Sequence, residues 1–334
     1  MIEKLNQVTV TDFNKQALTI LKPYFNTDLA SNQKDLWFNN LLTLSTHNLG
    51  IAHCLQHHHS ARLFMSIAFA DIPTPKFFQP EYDKQIGSYS NVKSADDLYF
   101  SDNKISGTKH WISNLHQADY GIYMVSVDKQ LDDPLEAYVL FDLTSGQHQI
   151  DSTLPKPIGM EIARAGSLIV NDYKVPEHYL LGQRQFIGNK GRYISIGSWH
   201  DYAFITNYLG CIIGLFNDFS RYVDDKKINV EFELKKIGLE ISSLKMMWCD
   251  NLGSVEESMD VNNLTDNYWH RRNTQYTQSK NVLLLLINLV LQAVDSQWLM
   301  ASGVKNQKFR DALVFCTHMK PLYQNLSDKC FVKH

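Results

Sequence analysis

Apolar residues recur at helical spacing near both ends of the 334-residue chain. Ahead of residue 70 they return every three or four positions, as at Leu41 and Leu44. After Gly191 the same period returns, most strongly over residues 208–223, where large apolar side chains share one broad helical face. The pattern predicts further helices over residues 233–250, 265–303 and 308–325. Both ends of the chain are therefore predicted to be helical.

The middle of the chain has a different pattern. Prolines end the helical period after residue 70, and short β-type segments follow, separated by turn residues. These segments are residues 99–100, 105–112, 121–127, 137–141, 148–151 and 167–170. The order predicts an α+β protein with an N-terminal helical domain (1–70), a central antiparallel β-barrel or sandwich (71–190) and a C-terminal domain like a four-helix bundle (191–334).

Composition and charge narrow the classes of protein. The formal net charge of -3 gives no attraction to nucleic acid or to an anionic membrane. The five cysteines are dispersed and form no C-x-x-C pair, which argues against disulfides and a structural zinc site. The first residues lack the apolar segment of a signal peptide, and the longest apolar run, 282–291, is too short to cross a bilayer. We expect a cytoplasmic, globular, multi-domain protein.

One stretch carries the clearest chemistry. Residues 105–114 read Ile-Ser-Gly-Thr-Lys-His-Trp-Ile-Ser-Asn. Trp111 offers an aromatic plane, and Lys109 and Ser113 offer hydrogen-bonding groups at the same end of a strand. A flat heteroaromatic cofactor binds to a surface of that kind.

Histidines are concentrated in the N-terminal helical region. His47, His53, His57, His58 and His59 fall within 13 positions, and His53 and His57 lie four residues apart on one helical face. Among nearby metal-ligating residues only Cys54 could add to such a pair, and it lies on another face, so we predict no metal site. A cluster of structural histidines and a single functional histidine both stay open.

These motifs, taken in order, resemble the acyl-CoA dehydrogenase superfamily. Residues 105–114 look like its tryptophan strand, and Phe309-Arg-Asp-Ala312 looks like the start of its last long helix. Gln292 precedes Arg310 by 18 residues, as in the family. The resemblance implies bound FAD or FMN, with Lys109, Trp111, Ser113 and Gln292 as cofactor-binding residues. It also implies a homo-oligomer, a dimer or tetramer built through the C-terminal helices.

The residues that the dehydrogenase reaction requires are replaced. The two positions at which the family carries its catalytic glutamate hold Met319 and Ser220, and neither side chain can act as the base. The family's glycine-rich phosphate loop reads Gln-Ala-Val-Asp-Ser-Gln-Trp over residues 292–298. Without glycines, and with Asp295 adding negative charge, that segment is expected to hold a flavin weakly.

A second branch of the superfamily, the flavin-dependent monooxygenases, resembles the chain more closely in these residues. Those enzymes lack the glutamate and carry a histidine eight residues after the arginine, which is His318 here, together with a strand serine and an N-terminal histidine. The resemblance implies catalysis by His318, Ser113 and one histidine of 57–59, with His57 as the choice, and reduced flavin from a separate reductase. Two alternatives stay open: an acyl-CoA dehydrogenase with a relocated base, for which Glu161 is a candidate, and a flavin-less scaffold or partner subunit.

Overall fold

A computed structural model describes residues 16, 19–21, 34–69, 75–78, 85–90, 98–127, 135–151, 160–163, 165–176, 179–183, 187–254, 266–300 and 306–318. Two helices come first, α1 (Lys34–His47) and α2 (Leu49–Ala68). The strands are β1 (Gly87–Ser90), β2 (Tyr99–Ser101), β3 (Lys104–Ile112), β4 (Tyr120–Val127), β5 (Leu135–Asp142), β6 (Gln149–Asp151), β7 (Gly166–Lys174) and β8 (Leu180–Gln183), with a 3-10 turn at Glu161–Ala163. The C-terminal helices are α3 (Ile187–Lys226), α4 (Glu231–Ser254), α5 (Asp266–Ala293), α6 (Ser296–Met300) and α7 (Gln307–His318). The predicted α+β class, with helices on either side of a central sheet in the chain, is confirmed.

The N-terminal helices are fixed by a cap and by close packing. Asn48 caps α2, and its side-chain oxygen accepts a hydrogen bond from the Ile51 amide at 3.1 Å. Helix α1 packs against α3 at two glycines, where a side chain could not fit. A Cβ at Gly210 would lie 1.8 Å from the Ser45 hydroxyl, and one at Gly214 would lie 2.3 Å from the Thr46 carbonyl oxygen. This contact brings α2 and α3 side by side.

The strands form one sheet in the order β6-β7-β3-β2-β4-β5-β8, with β1 also beside β4. Most pairs are antiparallel, as the turn-punctuated pattern predicts, but β1 and β2 pair in parallel with β4. The two short strands occupy successive halves of one edge of β4, β1 opposite Tyr120–Tyr123 and β2 opposite Ser126 and Val127. The sequence pattern missed β1 and β8, whose residues lack a clear alternation of apolar and polar side chains.

Both faces of the sheet are covered. Tyr120, Ile122 and Met124 of β4 belong to a large core shared with the helices, whereas Tyr123 and Val125 belong to a smaller core on the other face. The large core includes apolar residues from α1, α2, α3, α4 and α5. The domain boundaries after residues 70 and 190 therefore stay a prediction.

Two predicted helices differ in extent from the structure. Within the predicted helix 265–303, the described residues form α5 and the separate short helix α6, because Asp295 caps α6 by accepting a hydrogen bond from the Trp298 amide at 2.7 Å. Residues 265 and 301–303 lie outside the described part of the chain. The last predicted helix, 308–325, corresponds to α7, and its part beyond His318 lies outside the described residues. In the described part of the chain, no helix has both the length and the apolar character needed to cross a membrane.

Candidate functional site

The histidines of helix α2 lie in different surroundings. His58 accepts a hydrogen bond from the Gly87 amide through Nδ1 at 3.0 Å. His59 stacks on the ring of Trp37 at a centroid distance of 4.2 Å, and burial lowers the pKa of His59 to about 3. These two rings are structural parts of the interface around α2. Within the described ranges, no group of three or more His, Cys, Asp or Glu side chains could hold a metal ion.

His53 and His57 instead form a chain of contacts with Ser113 of the tryptophan strand. The Nε2 atom of His53 lies 3.0 Å from the Ser113 hydroxyl oxygen and 3.1 Å from Nε2 of His57. On its other side, Nδ1 of His57 lies 2.7 Å from the carbonyl oxygen of Tyr89. All three side chains are buried. The predicted neighbours Ser113 and His57 are thus joined through His53.

The end of β3 is fastened to α2 by its backbone and by Asn114. The Asn114 side-chain amide donates to the Cys54 carbonyl at 2.7 Å, and its backbone amide donates to Ala163 at 3.1 Å. The hydroxyl of Ser88 donates to the Ser113 carbonyl at 2.7 Å. These bonds explain why Ser113, the residue after β3, and His53 of α2 lie within hydrogen-bonding distance although they are 60 positions apart in the sequence.

Trp111 has an unusual backbone conformation. Its φ is 59°, a left-handed value that a bulky residue rarely adopts, and it lies where the β3–β7 register shifts between Lys109 and Ile112. The indole is 48% exposed, although the residues around it in β3 are buried or half-buried. Local strain of this kind is concentrated at functional sites. The bulge holds the indole at the protein surface, two residues from Ser113.

Aromatic rings from the C-terminal helices cover His53. Phe204 of α3 and Phe315 of α7 stack on each other with their centroids 5.1 Å apart and their planes at 10°. Their centroids lie 5.5 and 6.1 Å from that of His53. Phe315 is buried and Phe204 is only partly buried. His53 therefore lies at an apolar, aromatic boundary that is suited to a flat ligand.

Helix α7 is fixed to the sheet region by Asp311. Its buried carboxylate accepts hydrogen bonds from the Met160 amide at 2.7 Å and from the Gln307 side chain at 2.6 Å. Burial raises the pKa of Asp311 to about 6. Arg310 lies 3.9 Å from Glu161, the alternative candidate for a base. Arg310 and Asp311 thus dock the helix that carries Phe315.

A third histidine, His200 of α3, lies close to the pair. Its ring centroid is 5.1 Å from that of His57, and its Nδ1 lies 2.7 Å from the hydroxyl of Ser60. The Gln56 side chain donates to the His200 carbonyl at 2.9 Å and is held by Asn207 at 2.8 Å. Burial, aided by His57 and Arg272, lowers the pKa of His200 well below the usual value. His200 is therefore neutral near pH 7.

The structure places two of the other predicted site residues, Lys109 and Gln292, in different surroundings. The Lys109 ammonium is buried and donates to the Met124 carbonyl at 3.0 Å. Gln292 is exposed near the end of α5. His318 is the last residue of α7, and its side chain lies outside the described part of the chain. The roles assigned to these three residues stay predictions.

In the segment at the position of the phosphate loop, the Asp295 carboxylate is hydrogen-bonded to neighbouring groups. Asp295 accepts hydrogen bonds from the Trp298 amide at 2.7 Å and from the Tyr222 hydroxyl at 3.4 Å. In the family, backbone amides of this loop bind the pyrophosphate of the cofactor. In this chain the Trp298 amide donates to the Asp295 carboxylate instead.

Sequence reasoning did not identify His53 as the contact of Ser113. The available signal was the spacing of four residues between His53 and His57, which places both rings on one face of α2. Tyr89, Phe204 and Phe315 gave no such signal, because their positions near His53 depend on packing between separate elements.

Comparison with known proteins identifies the fold. No protein-family model and no curated protein matches the sequence. Among solved structures, dibenzothiophene monooxygenase TdsC from Paenibacillus sp. A11-2 is similar with a TM-score of 0.71 and 13% identity, over 96% of this chain and 89% of that one. Other structures of TdsC contain FMN, and FMN with indole.

Two further solved structures are also similar to this chain. Butyryl-CoA dehydrogenase from Megasphaera elsdenii has a TM-score of 0.69 and 13% identity, over 94% of this chain and 84% of that one. XiaF from Streptomyces sp., in complex with FADH2 and glycerol, has a TM-score of 0.67 and 13% identity, over 95% and 86%. The chain therefore has the acyl-CoA dehydrogenase fold, as its motifs predict.

Proposed function

We propose that the protein is a flavin-dependent oxidoreductase of the monooxygenase type, acting on a flat, largely apolar small molecule. The chain of contacts Ser113–His53–His57 carries this proposal. It places a histidine, which can give or take a proton near neutral pH, at the end of the tryptophan strand. The fold shared with TdsC and XiaF supports it.

The residues at the end of β3 fit the ring system of a flavin. The half-exposed indole of Trp111 offers an aromatic plane, and the nearby Ser113 hydroxyl contacts His53. The segment 292–298 fits an adenosine pyrophosphate poorly, because the Asp295 carboxylate already accepts the Trp298 amide hydrogen. A weakly held flavin follows, with FMN binding at least as well as FAD.

Each residue of the site has a definite task. Bound reduced flavin would supply the two electrons needed to activate oxygen. Trp111 would orient the flat ring, and Phe204 with Phe315 would exclude water from the neighbouring space. His53 would move a proton at its Nε2 atom, and Ser113 would orient that atom. His318 remains a candidate for a second proton-transfer group. A separate reductase would supply the reduced flavin.

The assembly belongs to the same proposal. Phe232, Leu239 and Met246 of α4 are spaced by seven residues and are 78%, 73% and 64% exposed. Exposed leucines, Leu284, Leu285 and Leu291, also lie on the adjoining α5. A seven-residue apolar repeat is the spacing with which helices of two chains interlock, so we infer that a second copy covers this face.

A double change of Phe232 and Leu239 to Glu should then lower the mass measured by light scattering at micromolar concentration. Lys236→Glu on the same helix should not.

Flavin titration tests the cofactor. Quenching of flavin fluorescence should show saturable binding of oxidised FMN, with FAD no tighter, and Trp111→Ala should weaken it about tenfold or more. Lys104→Ala, at the other end of β3, is the control. Absence of binding to any flavin would support the scaffold alternative.

Turnover tests the reaction itself. Dibenzothiophene or indole, supplied with FMN, a reductase and oxygen, tests monooxygenation. A panel of CoA thioesters with an artificial electron acceptor tests dehydrogenation.

A further inference from the structure

One short turn contacts the elements that build the proposed site. It covers residues 160–163, includes the 3-10 turn, and is called the 160–163 turn below. At the end of β3, the Asn114 amide donates to the Ala163 carbonyl at 3.1 Å. From α2, the Cys54 thiol donates to the Ile162 carbonyl at 3.7 Å. The strand end and the helix that carry the proposed site therefore share one anchor.

Helix α7 reaches the same turn through Asp311. Its carboxylate is only 2% exposed, and its Oδ1 atom accepts hydrogen bonds from the Met160 amide at 2.7 Å and from the Gln307 side chain at 2.6 Å. Residues four apart lie on the same face of a helix, so Asp311 and Phe315 occupy successive turns of one face of α7. The hydrogen bond to the turn therefore helps to fix where Phe315 lies relative to His53.

The ion pairs of α7 are weaker than this buried contact. Arg310 lies 3.9 Å from Glu161 of the turn, which is beyond hydrogen-bonding distance, and the Glu161 side chain is 38% exposed. Lys308 pairs at 3.1 Å with Asp218 of α3, whose side chain is 28% exposed. Pairs with solvent-accessible partners contribute little to stability, whereas removing a buried acceptor leaves a backbone amide without its bond. The position of α7 on the turn thus depends mainly on Asp311.

Contacts between α7 and α3 do not replace this anchor. The Tyr208 hydroxyl of α3 donates to the Phe315 carbonyl at 3.2 Å, which fixes α7 to α3. His53 belongs to α2, and the 160–163 turn packs closely against that helix. A Cβ at Gly50 would lie only 3.1 Å from the Ile162 Cβ. The distance between Phe315 and His53 therefore depends on how α7 lies on the turn.

The end of β3 has a second connection to α2. The Asn114 side chain donates to the Cys54 carbonyl at 2.7 Å, independently of the turn. Met160 has a φ of 58°, a left-handed value that is uncommon for residues other than glycine. Loss of Asp311 should therefore release α7 from the turn while the strand end stays attached to α2.

We propose that Asp311 is a positioning residue for the proposed reaction. It holds α7 on the 160–163 turn and thereby sets the distance between Phe315 and the His53–Ser113 contact. It acts as a hydrogen-bond acceptor of fixed length rather than through its charge, because both bonds end on Oδ1. This inference rests on the proposed function for the ligand beside Phe315, but the position of α7 is a property of the resting protein.

Proton NMR of the His53 ring tests the position of Phe315 without flavin or turnover. An aromatic ring shifts the signals of nearby protons, so the His53 signal of the full-length protein, identified by its loss in His53→Gln, reports where Phe315 lies. Asp311→Ala should move that signal. Asp311→Asn should leave it near its wild-type position, because the amide oxygen can accept both hydrogen bonds. Asp218→Ala removes a different aspartate contact of α7 and is the matched control, which should not move the signal.

Asp311→Glu separates geometry from charge. It keeps the carboxylate but adds a methylene group at a buried position, which displaces α7, so the His53 signal should move. If Asp311→Ala does not fold, the comparison of Asp311→Asn with Asp311→Glu still decides. A signal that moves in Asp311→Asn but not in Asp311→Glu would show that the charge matters, and it would overturn the proposal. An equal shift in Asp218→Ala and Asp311→Ala would also overturn it.

Kinetics give the functional consequence. With indole, KM of Asp311→Ala should rise about fivefold or more while kcat stays within about threefold, because the ligand loses an aromatic wall that it contacts both before and during the reaction. Asp311→Asn and Asp218→Ala should keep both constants close to those of wild type. A fall in kcat with unchanged KM would contradict this role. If the wild type itself turns over no substrate, the proposed function fails, and the NMR comparison still tests Asp311.

Discussion

Two buried histidine sites lie side by side between α2 and α3, and they differ in how their hydrogens are shared. At His200, Ser60 gives its hydroxyl hydrogen to the Gln56 carbonyl and so can accept from Nδ1, while Gln56 donates to the His200 carbonyl. At His53, a single nitrogen faces both His57 and Ser113. In the first arrangement each of these hydrogens has an acceptor, as in a polar network that stabilises a core. The second places two groups that can exchange a hydrogen on one nitrogen of His53, next to partly buried Phe204, and it is the one suited to proton transfer.

The largest expected effect is on turnover at the shared nitrogen. His53→Gln keeps a polar side chain of similar size but cannot transfer a proton. We expect turnover to fall by about 10² to 10⁴, the range for loss of a general acid or base. His148→Gln is the control. Turnover within threefold of wild type, measured by product chromatography, would remove His53 from the mechanism.

His200→Phe should show the opposite behaviour. The change leaves the Ser60 hydroxyl and the Gln56 amide without the ring nitrogens, which should lower the free energy of unfolding by about 1–3 kcal/mol. Turnover at 25 °C should change less than about threefold, since the folded fraction remains high. Urea unfolding, with His148→Phe as the control, measures the first effect. A stable but inactive variant would mean that the two sites do not differ as described.

Removing the Ser113 hydroxyl from His53 should have a smaller effect. Ser113→Ala deletes the hydroxyl but leaves the carbonyl that accepts from Ser88. Turnover should fall about tenfold, equivalent to about 1.4 kcal/mol, and Ser113→Thr should restore most of it. Ser167→Ala, which deletes a similar contact with His110 in the neighbouring strand, is the control. An equal loss in both variants would indicate a general disturbance of the sheet.

The last expected effect concerns stability in acid rather than turnover. Burial lowers the pKa of His59 from 6.5 to about 3, so below pH 6.5 the unfolded chain binds a proton that the folded chain does not. The free energy of unfolding therefore falls as the pH falls from about 6.5 toward 3, by at most about 1.4 kcal/mol per pH unit for this group. His59→Phe keeps the stack on Trp37 and should flatten that slope by up to one proton, as measured by urea unfolding at several pH values. A slope equal to that of wild type would contradict the burial of a neutral ring at this position.

Much of the fold could be predicted because it depends on local patterns. Helical period, turn residues and the 105–114 motif located the helices, most strands and the tryptophan strand. The spacing of His53 and His57 likewise placed their rings on one face of α2. The sequence could not give the parallel pairing of β1 and β2 with β4, since strand partners are chosen by packing rather than by composition.

The amino-acid sequence by itself determined which elements form and which candidate groups lie on one element, because the rise and twist of a helix or strand are fixed by backbone geometry. Only the tertiary structure decided which groups meet across elements. It joined Ser113 to His53 rather than directly to His57, turned Lys109 into the sheet, and placed the Tyr89 carbonyl behind His57. These contacts between separate elements depend on how their close-packed surfaces fit together. A shift of one residue in any of these elements would change the partner of His53.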